Sequence, residues 1–275
     1  MSVDERSLSF KEMERDGWHE RAAIYDNLAG VLTRDASDRL LGAVMAQPGM
    51  RLLDVCCGPG YGAGKAAERG LRAVGVDIAP AMLDEARARF PSVEFRPGDA
   101  EQLEFADQTF DVVICPFGLL HLSEPGKAIS EAFRVLKPGG RYGVTVWCEP
   151  EKNVFLGLAM KATLAHANMD VPLPPAPPMF QFGDVAFATG ALQSAGFQNI
   201  ASEEIPIVYR GGSPEDVWRW FEHLAVRGMA VYRLQTPEVQ RRISDAIVEG
   251  ARQYAGDGGV AIPCTAVMYT ATRPA

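Results

Sequence analysis

Two aspartates, a run of glycines and one histidine carry most of the chemistry that can be read from this chain. Asp54 ends a short apolar run, Leu52-Leu53-Asp54-Val55, and is followed by Cys56-Cys57-Gly58-Pro59-Gly60-Tyr61-Gly62-Ala63. A buried strand, a tight turn and a helix-like segment from Gly64 to Gly70 are predicted there. Glycines at such a turn let the backbone approach a ligand where a Cβ would clash. At the carboxyl end of a parallel strand, that is where doubly wound sheets bind nucleotide-like cofactors. A second apolar run, Leu71 to Val76, ends in Asp77, placed to accept hydrogen bonds from both hydroxyls of a ribose. The spacing of Gly58, Gly60 and Ala63 also satisfies a dinucleotide fingerprint, so the glycines alone leave a nicotinamide cofactor open. His121 follows a further apolar run and is the best candidate for a side chain that takes a proton near pH 7.

These residues need a frame. After Asp77, Pro80 suits the first turn of a helix to about Phe90, and Val93 to Arg96 is a short third strand. It leads into the polar loop Gly98-Asp99-Ala100-Glu101-Gln102-Leu103, well placed to meet an adenine. Phe110 to Cys115 is a fourth strand, Lys127 to Leu136 a helix, and Arg141 to Trp147 a fifth strand after the turn Lys137-Pro138-Gly139-Gly140. Strand alternating with helix predicts an α/β fold with a mostly parallel sheet covered on both faces. Ahead of it, residues 1–33 read as an amphipathic helical lead-in carrying Trp18, Ala22, Tyr25 and Leu28, and residues 34–46 as a helix. Behind it come predicted helices at Ala186–Ala195, Glu215–Val226 and Glu238–Tyr254, and predicted strands at Phe197–Val208 and Val260–Arg273.

Composition narrows the function. The chain has 275 residues, 47% hydrophobic and 23% charged, with a net charge of −8. That acidic balance, with no Lys/Arg cluster, argues against a nucleic-acid partner. The opening Met1-Ser2-Val3-Asp4-Glu5-Arg6 lacks an apolar leader, and no apolar run reaches membrane-spanning length, so a cytoplasmic protein is expected. The five cysteines lack CxxC spacing and read as buried thiols, and no acidic cluster suits Mg²⁺, so no metal is expected.

Taken together, Asp54-Val-Cys-Cys-Gly58-Pro-Gly60-Tyr-Gly62, Asp77, Asp99-Ala100 and Leu136-Lys-Pro-Gly-Gly140 resemble the successive motifs of class I S-adenosylmethionine-dependent methyltransferases. More narrowly they resemble the type 11 small-molecule branch, which includes the ubiquinone and menaquinone methyltransferases. The similarity covers roughly residues 45–147, and Trp18, Arg21 and Tyr25-Asp26 resemble that branch's lead-in. It implies a Rossmann-like seven-stranded sheet whose last strand is antiparallel, and S-adenosylmethionine as cofactor, leaving as S-adenosylhomocysteine.

The resemblance also implies roles. The glycine loop, Gly58 through Gly60 to Gly62, would pass under the methionine part with Cys56 also in the cofactor-binding set, and Asp54 would reach its amino group. Asp77 would hold the ribose, Ile78 and Met82 would pack on adenine, and Asp99 with Ala100 would bond its amine and ring nitrogen. Tyr25 and Glu101 join this cofactor-binding set, while Pro116, Phe117 and His121 would lie near the sulfonium. Quinone-methylating members carry an Arg-Asn pair after the Phe-Gly of the fourth strand; here Leu120-His121 stands there instead.

Methyl transfer is an in-line displacement in which the protein mostly aligns the partners and excludes water. A general base is needed when the acceptor is a hydroxyl or other protonated nucleophile, and His121 is the catalytic candidate. The expected organisation is a helical lead-in or lid at 1–46, a core at 47–149 and 184–275, and a lid insertion at 150–183 that contains the Pro-rich run 172–178. Helices within 215–254 contribute to the acceptor pocket. Its lining would be apolar, with Phe155, Trp218, Trp220, Phe221, Met229 and Tyr232 prominent, joined by Met160, Met169, Met179, Phe180 and Phe182 from the insertion. A small, fairly apolar acceptor methylated at oxygen, by a monomer or homodimer, is the expectation. Carbon or nitrogen methylation of a quinone-like or natural-product acceptor, a nicotinamide-dependent oxidoreductase and a non-catalytic cofactor-binding module are the alternatives.

Overall fold

The computed structural model describes residues 9–275; the charged opening Met1 to Leu8 lies outside the described residues. The lead-in begins with α1 (Phe10–Arg21), started by a capping box in which Ser9 and Glu12 satisfy each other's backbone amides. A single 3₁₀ turn, α2 (Tyr25–Leu28) and α3 (Gly30–Ala43) follow. The core alternates β1 (Arg51–Val55), α4 (Tyr61–Glu68), β2 (Arg72–Asp77), α5 (Pro80–Arg89), β3 (Glu94–Pro97), β4 (Phe110–Pro116), α6 (Pro125–Val135) and β5 (Leu136–Trp147). Beyond it lie α7 (Val154–His166), α8 (Val185–Ser194), β6 (Gln198–Ile205), β7 (Val208–Gly211), α9 (Pro214–Leu224), α10 (Val226–Arg233) and α11 (Pro237–Arg252). The strands β8 (Ala255–Gly256), β9 (Gly259–Pro263) and β10 (Ala266–Thr272) close the chain.

The main sheet has seven strands in the order β3-β2-β1-β4-β5-β10-β6. β1 pairs in parallel with β2 and β4, while β10 runs antiparallel between β5 and β6. Apolar clusters cover both faces. One joins Leu52, Val112 and Ile114 to α3 and the late helices; the other joins Leu53, Val113 and Val144 to α6 and α8. This is the Rossmann-like mostly parallel architecture implied by the motifs.

Several boundaries differ from the sequence expectation, each for a local reason. The helix after the glycines starts at Tyr61 rather than Gly64, because Gly60 at φ +85° already acts as its N-cap. β5 starts at Leu136: Lys137-Pro138-Gly139-Gly140 is a bulge within the β4–β5 pairing, which jumps from Phe110↔Leu136 to Val112↔Arg141. The expected strand Phe197–Val208 breaks at Pro206, which has no N–H for a ladder, and β7 leaves the main sheet. The expected strand Val260–Arg273 likewise splits into β9 and β10. Together β7, β9 and β8 form a second, three-stranded sheet. The expected helix Glu215–Val226 ends at Leu224, since Ala225 is extended and serves as N-cap of α10.

The segment from Ala167 to Phe180 has no helix or strand, as its prolines require. It is tied to the late helices by Arg227, which donates to the Pro174 carbonyl at 2.7 Å, and by Gln235, which exchanges hydrogen bonds with the Asn168 backbone.

Candidate active site

The polar residues named above converge at the carboxyl ends of β1, β2 and β4. Asp54 is fully buried at the end of β1, and its Oδ2 accepts the Ala63 amide at 2.7 Å. Its Oδ1 has no hydrogen-bond partner among the described residues. Burial pushes the carboxyl up to about 7, opposed by the Ala63 amide and assisted by the charge of Asp77. A buried acceptor with a free lone pair suits a ligand ammonium, which would repair the orphaned oxygen and favour the ionised acid.

The turn itself is shaped for close approach. Cys56, Gly58 and Gly60 all have positive φ, at 56°, 51° and 85°. Around Gly58 a Cβ would meet nothing within 4 Å, whereas at Gly62 it would stand 2.6 Å from Asp54 Oδ2. The loop therefore leaves open space beside Gly58 and admits no side chain at Gly62. Asp77 holds the turn from the next strand: its Oδ2 accepts the Gly58 amide and its Oδ1 the Ala79 amide, both at 2.8 Å. Each oxygen keeps a further lone pair for a ribose hydroxyl. Burial raises the Asp77 carboxyl as well, against those two amides and the nearby His121.

On the adenine side of the expected site, Met82 is buried with Ala79 and Ala22 and packs against Trp18 and Tyr25, with Ile78 half-buried beside them. Burial raises the Tyr25 phenol, and its ring meets Trp18 edge-on at 5.9 Å. Asp99 Oδ1 accepts the Glu101 amide at 2.9 Å, and Ala100 is buried between them. At the end of β4, Pro116 is half-buried, and Phe117 is buried at φ +56° and packs on Trp147 with ring centroids 4.3 Å apart. His121 sits on the 3₁₀ turn just beyond.

Two residues of this region carry no sequence motif. Lys11 on α1 reaches both Asp99 Oδ2 and Glu101 Oε2 at 2.6 Å. Burial works against its charge, but the two carboxylates outweigh that and raise its pKa. Glu14, three residues on and 5% exposed, places Oε2 at 2.8 Å from His121 Nδ1 and 3.1 Å from Trp18 Nε1. Lys11, Glu14, Trp18 and Arg21 recur at three- and four-residue spacing, the one signal that could have placed them on a common face. Asp26 on α2 pairs with Arg89 on α5, a further tie between lead-in and core.

Other histidines and acids fall elsewhere. His19 accepts the Ala81 amide at 3.3 Å, and His166 lines a separate surface cleft with Glu215 and Arg242. Glu149 pairs with Lys152, which also holds Glu204. Of the residues expected to line an acceptor pocket, Phe155 stacks on Tyr209 and Phe221 and meets Trp220 edge-on in a buried core, while Met160, Met169 and Met179 are exposed. Among the described residues, no group of three or more His, Cys, Asp or Glu is arranged to hold a metal ion, and no helix is long and apolar enough to cross a membrane. All five cysteines are free, with Cys56 and Cys57 in different apolar clusters.

Fold and turn together define a class: a doubly wound α/β protein with a glycine-rich turn at the carboxyl end of β1. A family profile described as a methyltransferase domain matches residues 53–144. A demethylmenaquinone methyltransferase of Renibacterium salmoninarum is 37% identical over 164 residues, which is 54% of this chain and 69% of that enzyme. A malonyl-[acyl-carrier protein] O-methyltransferase of Serratia marcescens is 37% identical over 130 residues, 47% of this chain and 51% of that enzyme. Among solved structures, phosphoethanolamine N-methyltransferase 2 of Haemonchus contortus, in complex with phosphomonomethylethanolamine and S-adenosylhomocysteine, superposes with a TM-score of 0.61 at 19% identity. The match covers 98% of this chain and 61% of that one. The chain belongs to the class I S-adenosylmethionine-dependent methyltransferases, in the branch that contains the demethylmenaquinone methyltransferases. It is an S-adenosylmethionine-dependent methyltransferase, which closes the nicotinamide alternative that the glycine spacing left open.

Proposed function

We propose that this enzyme is cytosolic and methylates a small, fairly apolar organic molecule at oxygen, with His121 taking the acceptor's proton. The cofactor supplies a methyl group already activated on a sulfonium. Asp54 would bind its amino group, the loop Gly58 to Gly62 would lie under its methionine part, Asp77 would hold the ribose, and Ile78 and Met82 would flank the adenine. Asp99 and Ala100 meet the adenine edge, with Glu101 and Tyr25 closing the sides and Pro116 and Phe117 facing the reacting end. The lead-in helix and the segment 150–183 act as lids that exclude water, and the late helices complete the acceptor pocket.

The observation that carries the oxygen reading is His121 itself. It is a half-buried imidazole at the end of β4, set against the edge of Trp18 at 4.9 Å, where a protonated nucleophile needs a base. The relatives that act on demethylmenaquinone support a quinone-like acceptor as the second reading, methylated at carbon.

Incubating the enzyme with S-adenosylmethionine and paired acceptors, small phenols against quinone-type carbon nucleophiles, separates these readings. Acceptor-dependent S-adenosylhomocysteine formation with the phenols is expected; turnover with the carbon acceptors alone would sink the oxygen assignment. As a check on the cofactor assignment, ligand at about 100 times its dissociation constant stabilises a protein by about 2.7 kcal/mol. The Asp77→Ala variant should lose cofactor affinity by on the order of 100-fold, because an ionised acceptor of two hydroxyls is removed. Unchanged affinity would remove Asp77 from the ribose site.

A further inference from the structure

Glu14 is a carboxylate with 6% of its side chain exposed, and the cofactor frame makes no use of it. A buried carboxylate is costly unless its acceptors are filled. Here one oxygen is filled twice, by Trp18 Nε1 at 3.1 Å and by the His121 ring at 2.8 Å, across 107 residues of sequence. With the indole N–H already donating to this oxygen, the arrangement suits a carboxylate that accepts both contacts, with His121 donating from Nδ1. Neutral imidazole carries one proton, and with that proton on Nδ1 its lone pair is on Nε2, the nitrogen turned away from Glu14. Trp18 meets the imidazole edge-on, at an interplanar angle of 83°, and fixes the plane of the ring.

We propose that Glu14 is a positioning residue: docking of the lead-in helix against the end of β4 assembles a carboxylate–imidazole pair that holds His121 as the Nδ1–H tautomer, leaving Nε2 to take a proton from a hydroxyl acceptor. This rests on the reading of His121 as the base. As the acceptor oxygen forms its new bond to the methyl carbon, its proton passes to Nε2. The carbon–sulfur bonding pair stays with sulfur, so the positive charge that begins on the sulfonium ends on the imidazolium, next to the Glu14 carboxylate. Because Glu14 comes from α1 and His121 from the core, the base is complete only when the lead-in is closed over the site. The pair also names the acceptor chemistry: a hydroxyl whose proton must leave, rather than a nucleophile that is already anionic.

The charged groups around His121 are Glu14 from α1 and Asp77 from the end of β2, with Arg21 of α1 near Glu14. The test is nitrogen-15 spectroscopy of the imidazoles in the protein bound to S-adenosylhomocysteine. The chain has four histidines, so His121→Gln identifies the resonance by its loss. Wild type should show the Nδ1–H tautomer, the opposite of the preference of a free imidazole side chain. Glu14→Gln, which keeps the shape and an acceptor for Trp18, should weaken that preference and raise the share of the Nε2–H tautomer. An Nε2–H tautomer in wild type overturns the proposal without any variant, as does an unchanged tautomer in Glu14→Gln. Turnover with a hydroxyl acceptor adds an independent reading. Glu14→Gln and His121→Gln should each slow it by roughly tenfold or more, and the double variant should lose little beyond the slower single. Normal turnover in His121→Gln, beside the predicted tautomer, would instead dismiss the base reading itself.

Discussion

The cofactor end of the sheet and the late helical region solve opposite problems. At the ends of β1 and β2, a buried and a half-buried carboxyl meet backbone amides over short sequence distances: Asp54 takes the amide of Ala63, and Asp77 those of Gly58 and Ala79. The late region is apolar and built from distant pieces, with Phe155 of α7 stacked on Tyr209 of β7 and Phe221 of α9 at centroid distances of 4.1 and 5.1 Å. One region is polar, strained and open to a ligand; the other is filled by its own side chains. If the first region binds the cofactor as proposed, ligand affinity rests there and stability in the second, and the two can be perturbed separately.

The largest separation should come from Phe155→Ala. Phe155 is fully buried between Tyr209, Trp220 and Phe221, so truncation removes aromatic contacts and leaves a cavity. A loss of about 3–5 kcal/mol is expected, lowering the melting temperature by on the order of 10 °C. Cofactor affinity, measured well below that temperature, should stay near wild type. A collapse of cofactor binding in the folded variant would show that the two regions are coupled and break the comparison.

The same contrast governs how much the sequence revealed. Asp54, the glycine turn and Asp77 were legible because a strand, a turn and a helix in immediate succession leave their residue types in fixed order. Their neighbours Lys11 and Glu14 were not, since nothing in a helix of alternating charges says which carboxylate will be buried against a histidine 107 residues away. The second sheet was missed for the same reason. β7 and β9 pair across more than 45 intervening residues, and the sequence shows each of them only as an extension of a neighbouring strand. In the late region, apolar composition showed that there was a core but not which rings would fill it. Phe155 and Trp220 proved to be packing, and the exposed methionines of the insertion proved to be surface.

A smaller effect follows from the buried carboxyl of Asp54, at about 7 against an ordinary 3.8. Its folded pKa is raised, so the stability it contributes is fully present below about pH 4 and is lost as pH rises through 7. A ligand ammonium reverses this by favouring the ionised form. Cofactor affinity should therefore rise by up to about tenfold per pH unit below 7 and level off above it. Asp54→Asn should flatten that rise and weaken binding at pH 8. Calorimetric titrations at pH 6, 7 and 8 check both. A pH-independent affinity in wild type would mean that Asp54 does not meet the ammonium, and the polar end would lose its most deeply buried contact.

The smallest effect tests whether the lead-in belongs to the polar end at all. Lys11 pairs with Asp99 and with the buried Glu101, but its own side chain is 33% exposed and that of Asp99 30%, so solvent and salt reach the cluster. Lys11→Met keeps the apolar stem and removes the charge. A loss of about 1 kcal/mol or less is expected, read as a severalfold faster release of S-adenosylhomocysteine at low salt that shrinks toward nothing at high salt. Asp99 would then be freed from Lys11, and its Oδ2 could serve the adenine amine alone. That compensates part of the loss in binding while the closing helix is weakened. Faster release with little change in equilibrium affinity is thus the signature of a clasp on a lid. An equal loss in affinity and no change in release would make Lys11 part of the cofactor site instead, and would move the border between the two regions onto α1 itself.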